Sequence, residues 1–429
     1  MAGRSPERIR GSGPGRTAGV VNARGSVPGR VPVDLCPHSR GSASVHVEKL
    51  RLLPDSVKEL TGLRGIAVIF VILYHGGFPH MVGASLGVDI FFVLSGFLIT
   101  SLLIREQAER GAIAVGQFYM RRVLRLMPAL VFMLVGCIAF DGLASSGDAF
   151  RKTAGDAVVA LFYMTNWSRA LHWYEPALLG HAWSLSIEEQ FYLIWPAIWI
   201  FVSRRFDKRT RLWATVALAA VCTVDRISLQ AMGVDPLRIY NGTDTRADAI
   251  LVGCVLAQLF ALGMLDRLLS SRSLPALAGV AIAVLCVLSA VMDQLSPISN
   301  YVGLTVIEAC AAALIVGSLA GVGSVARMLR SRVAQWFGAR SYALYLWHFP
   351  LCIICLTRGL TQAQTALVAG LGAMLLSEIS RRLVEKPFLR MKHRFESDRR
   401  GHRLSSGLHD PVEGVPPSHS VREGEPTLR

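Results

Sequence analysis

Eleven long apolar stretches fill the chain after Thr61. They run at roughly 62–79, 86–104, 124–140, 154–165, 182–203, 212–232, 247–265, 274–292, 302–323, 341–357 and 362–383. Most approach the ~20 residues that carry an α-helix across a ~30 Å hydrocarbon core. Buried helices of a water-soluble domain do not recur ten times at such length, so the pattern predicts an all-α, polytopic helical bundle in a membrane. Composition agrees. The 429 residues are 52% hydrophobic and only 17% charged, against roughly 25% charged in a soluble domain. The chain nevertheless carries +15. A nucleic-acid binder accounts for that basicity but not for the apolar bulk, since such binding works from a polar, basic surface. Disorder over most of the length is excluded by hydrophobicity.

Charge sets the count of crossings. The connectors 105–125, 204–211, 266–272 and 326–340 hold sixteen Lys and Arg residues, Arg121, Arg122 and Arg125 among them, and the positive-inside rule assigns these connectors to the cytoplasm. Between 125 and 204 the chain must then cross an even number of times. Of the three candidates there, 154–165 is the shortest and least apolar, with Asp156 inside it, and reads as re-entrant or interfacial. About ten spans remain, with both termini cytoplasmic. Residues 1–54, rich in Arg, Gly, Ser and Pro, read as a disordered basic extension. The span domain covers 55–390, and 391–429 reads as a disordered cytoplasmic tail. Seven of the eight cysteines, all but Cys36, lie in apolar stretches and read as small hydrophobes. The Cys352/Cys355 CxxC lies inside a span without a second pair, which argues against a redox or zinc role.

Ionisable residues inside spans are costly and point at interior sites. Arg64 and His75 stand eleven residues apart in the first span. At about 100° per residue they share one helix face, about 16 Å apart. Asp89 opens the second span, and Glu188 and Glu189 lie in the first two turns of the span that follows Trp183-Ser184-Leu185-Ser186. Ser184 is placed as in a capping box for one of these acids. The two adjacent carboxylates point about 100° apart, so one of them is expected to face the interior. A carboxylate beside His75 would fix its tautomer and raise its basicity. Arg122 and Arg125, three apart before Pro128, put two forked guanidiniums on nearly one face, which suits phosphate. Arg246 and Asp248 open the seventh span, and His348, within Tyr345-Leu346-Trp347-His348-Phe349-Pro350, reads as a satisfied core histidine. No Gly-rich phosphate loop, HExxH, GxSxG or paired metal-ligand spacing occurs, so neither a metal nor a resident cofactor is expected.

Taken together these residues resemble the acyltransferase-3 family of membrane-bound O-acyltransferases. Leu63-Arg64-Gly65 through Tyr74-His75 is similar to its Arg-x10-His motif, and Gly87 to Ile99 to its GVDIFFVLSGFLI block. Phe118 to Ala129 is similar to its Arg-x-x-Arg block before a proline. His181–Pro196, Asp244–Gly253, Ser341–Pro350 and Glu385-Lys386-Pro387-Phe388 follow in family order, over about 57–390. The resemblance implies ten spans and transfer of an acyl group, commonly acetyl, from cytoplasmic acyl-CoA to a hydroxyl on a carbohydrate or other acceptor. It implies that Arg64 and His75 are the catalytic pair, with Glu188 preferred to Glu189. On the residues themselves, Glu188 or Asp89 is the carboxylate expected to orient His75. Arg122 and Arg125, with Arg121 beside them, become the CoA-side arginines. The SGNH hydrolase-like module of some members is expected to be absent, so a separate extracytoplasmic acyl-accepting partner is one expectation. Alternative acceptors are a small secreted natural product or a lipid-linked sugar. A multi-span transporter is the rival class, and the lack of self-similarity between the halves argues against it. The expected partners are acyl-CoA, the hydroxyl acceptor and the lipid bilayer of the cell membrane, with no nucleic acid.

Overall fold

The computed structural model describes residues 57–83, 86–144 and 147–391. The basic extension 1–54, Cys36 and the tail beyond 391 lie outside the described residues. Among the described residues there is no strand, and ten helices have 17 to 30 residues each. In chain order the helices that matter are α1 Lys58–His75, α2 Leu86–Arg110, α3 Val115–Ala144, α4 Gly147–Leu161, α5 Trp183–Arg205, α6 Lys208–Ala231, α7 Thr243–Ala261, α8 Leu274–Val291, α9 Leu304–Ala320, α10 Arg332–Thr357 and α11 Gln362–Ile379.

Among the described residues, seven helical segments are long and apolar enough to cross a membrane: α2, α3, α6, α8, α10, α9 with its preceding turn, and α11 with its C-terminal continuation. The three other long helices are α1, α5 and α7, and these carry Arg64 and His75, Glu188 and Glu189, and Arg246 and Asp248. Their inward charges lower their hydropathy without shortening them. At 1.5 Å per residue the 18 residues of α1 still cover about 27 Å. The peripheral helices expose Val135, Trp213, Val221, Val287, Leu367 and Leu371, side chains that water would penalise and lipid tails accept. The chain is therefore a multi-pass membrane protein. The stretch at 154–165, expected to be re-entrant or interfacial, falls mostly in α4, whose 15 residues fall short of a crossing. Asp156 of α4 is buried and accepts hydrogen bonds from Tyr174 Oη and from the backbone N–H groups of Leu178 and Leu179.

At the centre stands α2, packed most extensively on α7, while α1 packs on α10. Small residues make both crossings possible, as they do between lipid-embedded helices generally. A Cβ on Gly96 would stand 1.8 Å from the Ile250 carbonyl oxygen, and one on Gly253 would stand 2.0 Å from that of Val93. On the other crossing, a Cβ on Gly65 would stand 2.2 Å from Ala334 O and one on Gly338 would stand 1.8 Å from Thr61 O. The two crossings lock α1, α2, α7 and α10 together, and the interior polar groups gather between them.

The helices extend beyond the apolar stretches that announce them. The third span was expected from 124, yet α3 begins at Val115 and holds Pro128 within it. Arg121, Arg122 and Arg125 are thus helical residues, and Arg122 and Arg125 do lie one turn apart.

Candidate active site

An interior cavity of about 260 Å³ lies between α1, α2, α3, α5 and α10. Arg64 enters it from α1, Ser95 from α2, Arg122 and Arg125 from α3, Ser184, Glu188 and Tyr192 from α5, and Ser341, Tyr342 and Tyr345 from α10. Helix spacing explains the grouping. Ser184, Glu188 and Tyr192 recur every four residues on one face of α5, as Ser341 and Tyr345 do on α10. Glu188 Oε1 accepts a hydrogen bond of 2.8 Å from Ser95 Oγ. The Arg122 guanidinium lies over the Tyr192 ring, 3.5 Å from its centroid, a cation–π contact that holds it at the cavity wall.

Glu189 faces away into a second cavity of about 190 Å³, shared with Tyr119, Tyr163 and Leu193. Arg122 and Tyr192 line both cavities and form the wall between them. Arg121 lies outside both cavities. Its Nη2 pairs with Glu106 Oε2 at 2.9 Å, and Glu106 also takes Arg110 Nη1 at 3.2 Å. It therefore stands as a helix-end anchor beside the pair that lines the cavity.

Tyr345 closes the cavity on the side of His75. Its hydroxyl donates to the His181 carbonyl at 2.9 Å, which leaves the Ser184 hydroxyl to donate to it across 2.5 Å. Ser184 thus serves the partition, where the sequence pattern suggested a capping box. Behind Tyr345 lie three histidines. His348 is 5.4 Å from the Tyr345 ring, His181 is 5.5 Å from the same ring, and His75 is 5.0 Å from His348, all between centroids. Among the described residues no group of three or more His, Cys, Asp or Glu side chains has the geometry to hold a metal ion.

The expectation that a carboxylate orients His75 does not match these positions. The hydrogen-bond partners of His75 are the Val71 carbonyl and His348 Nε2. Glu188 is engaged with Ser95 in the cavity, and Asp89 forms a buried ion pair with Arg246 Nη2 at 2.5 Å. A second buried pair, Arg226 Nη2 to Asp248 Oδ2 at 2.8 Å, joins α6 to α7, with Glu308 Oε1 of α9 4.0 Å from Arg226. Sequence spacing does not single out Arg226 or Glu308: Glu308 is a lone charge in its span, and Arg226 has its neighbour Asp225 as a local match for its charge. Ser95, Tyr192 and Tyr345 are not singled out by the sequence either, although all three lie inside blocks noted for other residues.

A helical membrane bundle with clustered guanidiniums at an interior cavity and histidines behind its far wall has the form of a membrane-embedded group transferase. Residues 57–378 match the acyltransferase-3 family, described as an acyltransferase domain, and the chain belongs to that family. It is 36% identical over 313 residues to the putative peptidoglycan O-acetyltransferase YrhL of Bacillus subtilis, covering 69% of this chain and 48% of that one. It is 34% identical over 348 residues to the peptidoglycan O-acetyltransferase OatA of Listeria monocytogenes, covering 77% and 55%. To the O-acetyltransferase OatA of Staphylococcus aureus it is 33% identical over 349 residues, covering 78% and 57%. The chain thus spans about half the length of these relatives. No solved structure matches it.

Proposed function

We propose that this protein is an integral-membrane O-acyltransferase that moves an acetyl group from cytoplasmic acetyl-CoA to a hydroxyl of a cell-surface glycan or glycan precursor. The observation that carries the reading is the gathering of Arg64, Arg122 and Arg125 with Glu188 in one interior cavity, three turns along α1 from a half-buried histidine. Arg122 and Arg125 hold the phosphates of CoA at the cavity mouth through charge-assisted hydrogen bonds. A cavity of about 260 Å³ is smaller than the usual ~300–1,000 Å³ of a ligand site, so it takes the slender pantetheine arm and leaves the nucleotide outside. Arg64 positions the donor within the cavity.

Passage of the thioester to His75 requires Tyr345 to swing out of its contacts with Ser184 and His181. The acceptor oxygen then attacks the thioester carbonyl carbon while His75 takes the hydroxyl proton. The new C–O bond forms as the C–S bond breaks, and the proton passes from His75 to the departing thiolate, which leaves as the CoA thiol. In this reading both termini are cytoplasmic and the acceptor approaches His75 from outside the cell membrane. The names of the relatives favour a glycan acceptor, peptidoglycan in two of them.

The test is mass spectrometry of envelope glycans from cells carrying the wild-type chain or His75→Ala at equal membrane levels. Glycan O-acetyl groups are expected to disappear with the variant. Acetyl loss confined to a secreted small molecule or a lipid-linked sugar would reassign the acceptor, and unchanged acetylation would overturn the reading. Reconstitution with the chain alone separates direct transfer from relay through an extracytoplasmic partner.

A further inference from the structure

We propose that His348 is a positioning residue that, together with the Val71 carbonyl, holds His75 in its Nδ1-protonated tautomer, so that α1 and α10 build a histidine–histidine dyad with His75 Nε2 as its reactive atom. The inference deepens the reading of His75 as the base and rests on it.

Hydrogen-bond direction carries the argument. His75 Nδ1 lies 3.0 Å from the Val71 carbonyl oxygen. A carbonyl only accepts, so Nδ1 of His75 carries a proton. His348 Nδ1 lies 2.7 Å from Tyr345 O and 3.2 Å from Leu344 O, and the same rule places a proton there. A neutral imidazole protonated at Nδ1 has a lone pair at Nε2, and His348 Nε2 lies 3.2 Å from His75 Nδ1. The His75 N–H is therefore shared between Val71 O and His348 Nε2. By elimination, His75 Nε2 is unprotonated and free to take a proton.

The surroundings suit the division of labour. His348 is 1% exposed, whereas His75 is half-buried and accessible. Phe349 stands edge-on to His75 with centroids 5.0 Å apart, and His181 stacks on Phe349 at 5.0 Å. The two rings beside His75 leave it few orientations. When His75 Nε2 gains a proton, its Nδ1–H becomes a stronger donor and His348 Nε2 is already aligned to accept. An uncharged imidazole holds the imidazolium less tightly than a carboxylate would. That suits a base that must return its proton to the thiolate.

A histidine kept only for packing needs neither this direction nor this partner, and the test exploits the difference. Full-length protein in nanodiscs is assayed with acetyl-CoA and soluble peptidoglycan fragments, and the tautomer of His75 is read from the nitrogen-15 spectrum of histidine-labelled protein. His348→Ala is expected to lower kcat on the order of 10- to 100-fold with KM for acetyl-CoA unchanged. His348→Gln places Oε1 where Nε2 stood, accepts from His75 Nδ1–H and is expected to recover most of the loss. The spectrum should show His75 protonated at Nδ1 in the wild type and in His348→Gln, and a tautomer mixture in His348→Ala. Wild-type kcat in His348→Ala, or equal losses in both variants with the His75 tautomer unchanged, overturns the proposal. Full activity in His75→Ala would instead remove the reading of His75 as the base, while the spectrum still decides whether His348 sets its tautomer.

Discussion

Asp89 and Arg246 form an ion pair of 2.5 Å in which Asp89 is 3% and Arg246 1% exposed, joining α2 to α7 in the heart of the bundle. Removing one partner strands a charge where no water reaches it, at about 3–5 kcal/mol for a buried pair, while replacing both with apolar residues is often tolerated. Asp89→Asn and Arg246→Met are each expected to reduce the folded fraction in detergent. Asp89→Leu combined with Arg246→Met should restore it and leave acetyl transfer measurable. Loss of transfer in a fully folded double variant would show that the pair takes part in chemistry.

The crossing of α2 and α7 has no room for a side chain at Gly96, where a Cβ would stand 1.8 Å from the Ile250 carbonyl. The obstacle is backbone, so rotamer changes give no relief. Gly96→Ala is expected to cost at least the ~1–3 kcal/mol of an overpacked core. Thermal unfolding in detergent should show a lowered midpoint. Gly370 has open space at its Cβ and serves as the control, with Gly370→Ala unchanged.

Arg122 lies over the Tyr192 ring in the wall shared by the two cavities. A lysine keeps the charge but loses both the fork and the stacking. Arg122→Lys should raise KM for acetyl-CoA about tenfold, near 1.4 kcal/mol, with a smaller effect on kcat. An unchanged KM in steady-state assays would remove Arg122 from the donor site.

Away from the spans, His172 joins two loops. Its Nε2 lies 2.6 Å from Asp235 Oδ2 and its Nδ1 3.1 Å from Glu175 Oε1. The hydrogen bond to Asp235, then that to Glu175, raises the His172 pKa above its ordinary value of about 6.5. A pKa raised in the folded state gives stability that is fully present below the ordinary value and lost as pH rises through the raised one. His172 has a φ of 53°, so His172→Asn keeps the left-handed backbone while removing the charge. The wild type should unfold at a higher temperature than His172→Asn at about pH 5.5, and the gap should close on the alkaline side of the raised pKa. A gap independent of pH would contradict this assignment.

What the sequence revealed, and what it hid, follows from the range of the signals. Arg64, Arg122 and Arg125 were legible because helical spacing places each on a face and the positive connectors suggest which end is which. The rotation of one helix against another is not written locally. Glu188 was therefore placed beside His75 when it faces Ser95 and the arginines, and Asp89 was separated from Arg246, 157 residues away. His348 was visible as a mid-span histidine and read as structural because its partner His75 lies 273 residues distant. The apolar stretches located the helices well, but charged ends such as Val115–Arg125 extended them beyond any hydropathy signal.

Purified full-length protein in nanodiscs, given acetyl-CoA labelled in its acetyl group and soluble peptidoglycan fragments, reports the reaction itself. Label should appear on glycan hydroxyls with release of one CoA thiol per acetyl transferred, and His75→Ala should abolish both. Glycan acetylation by His75→Ala at the wild-type rate, or no consumption of acetyl-CoA by the folded wild-type chain, would contradict the proposed function.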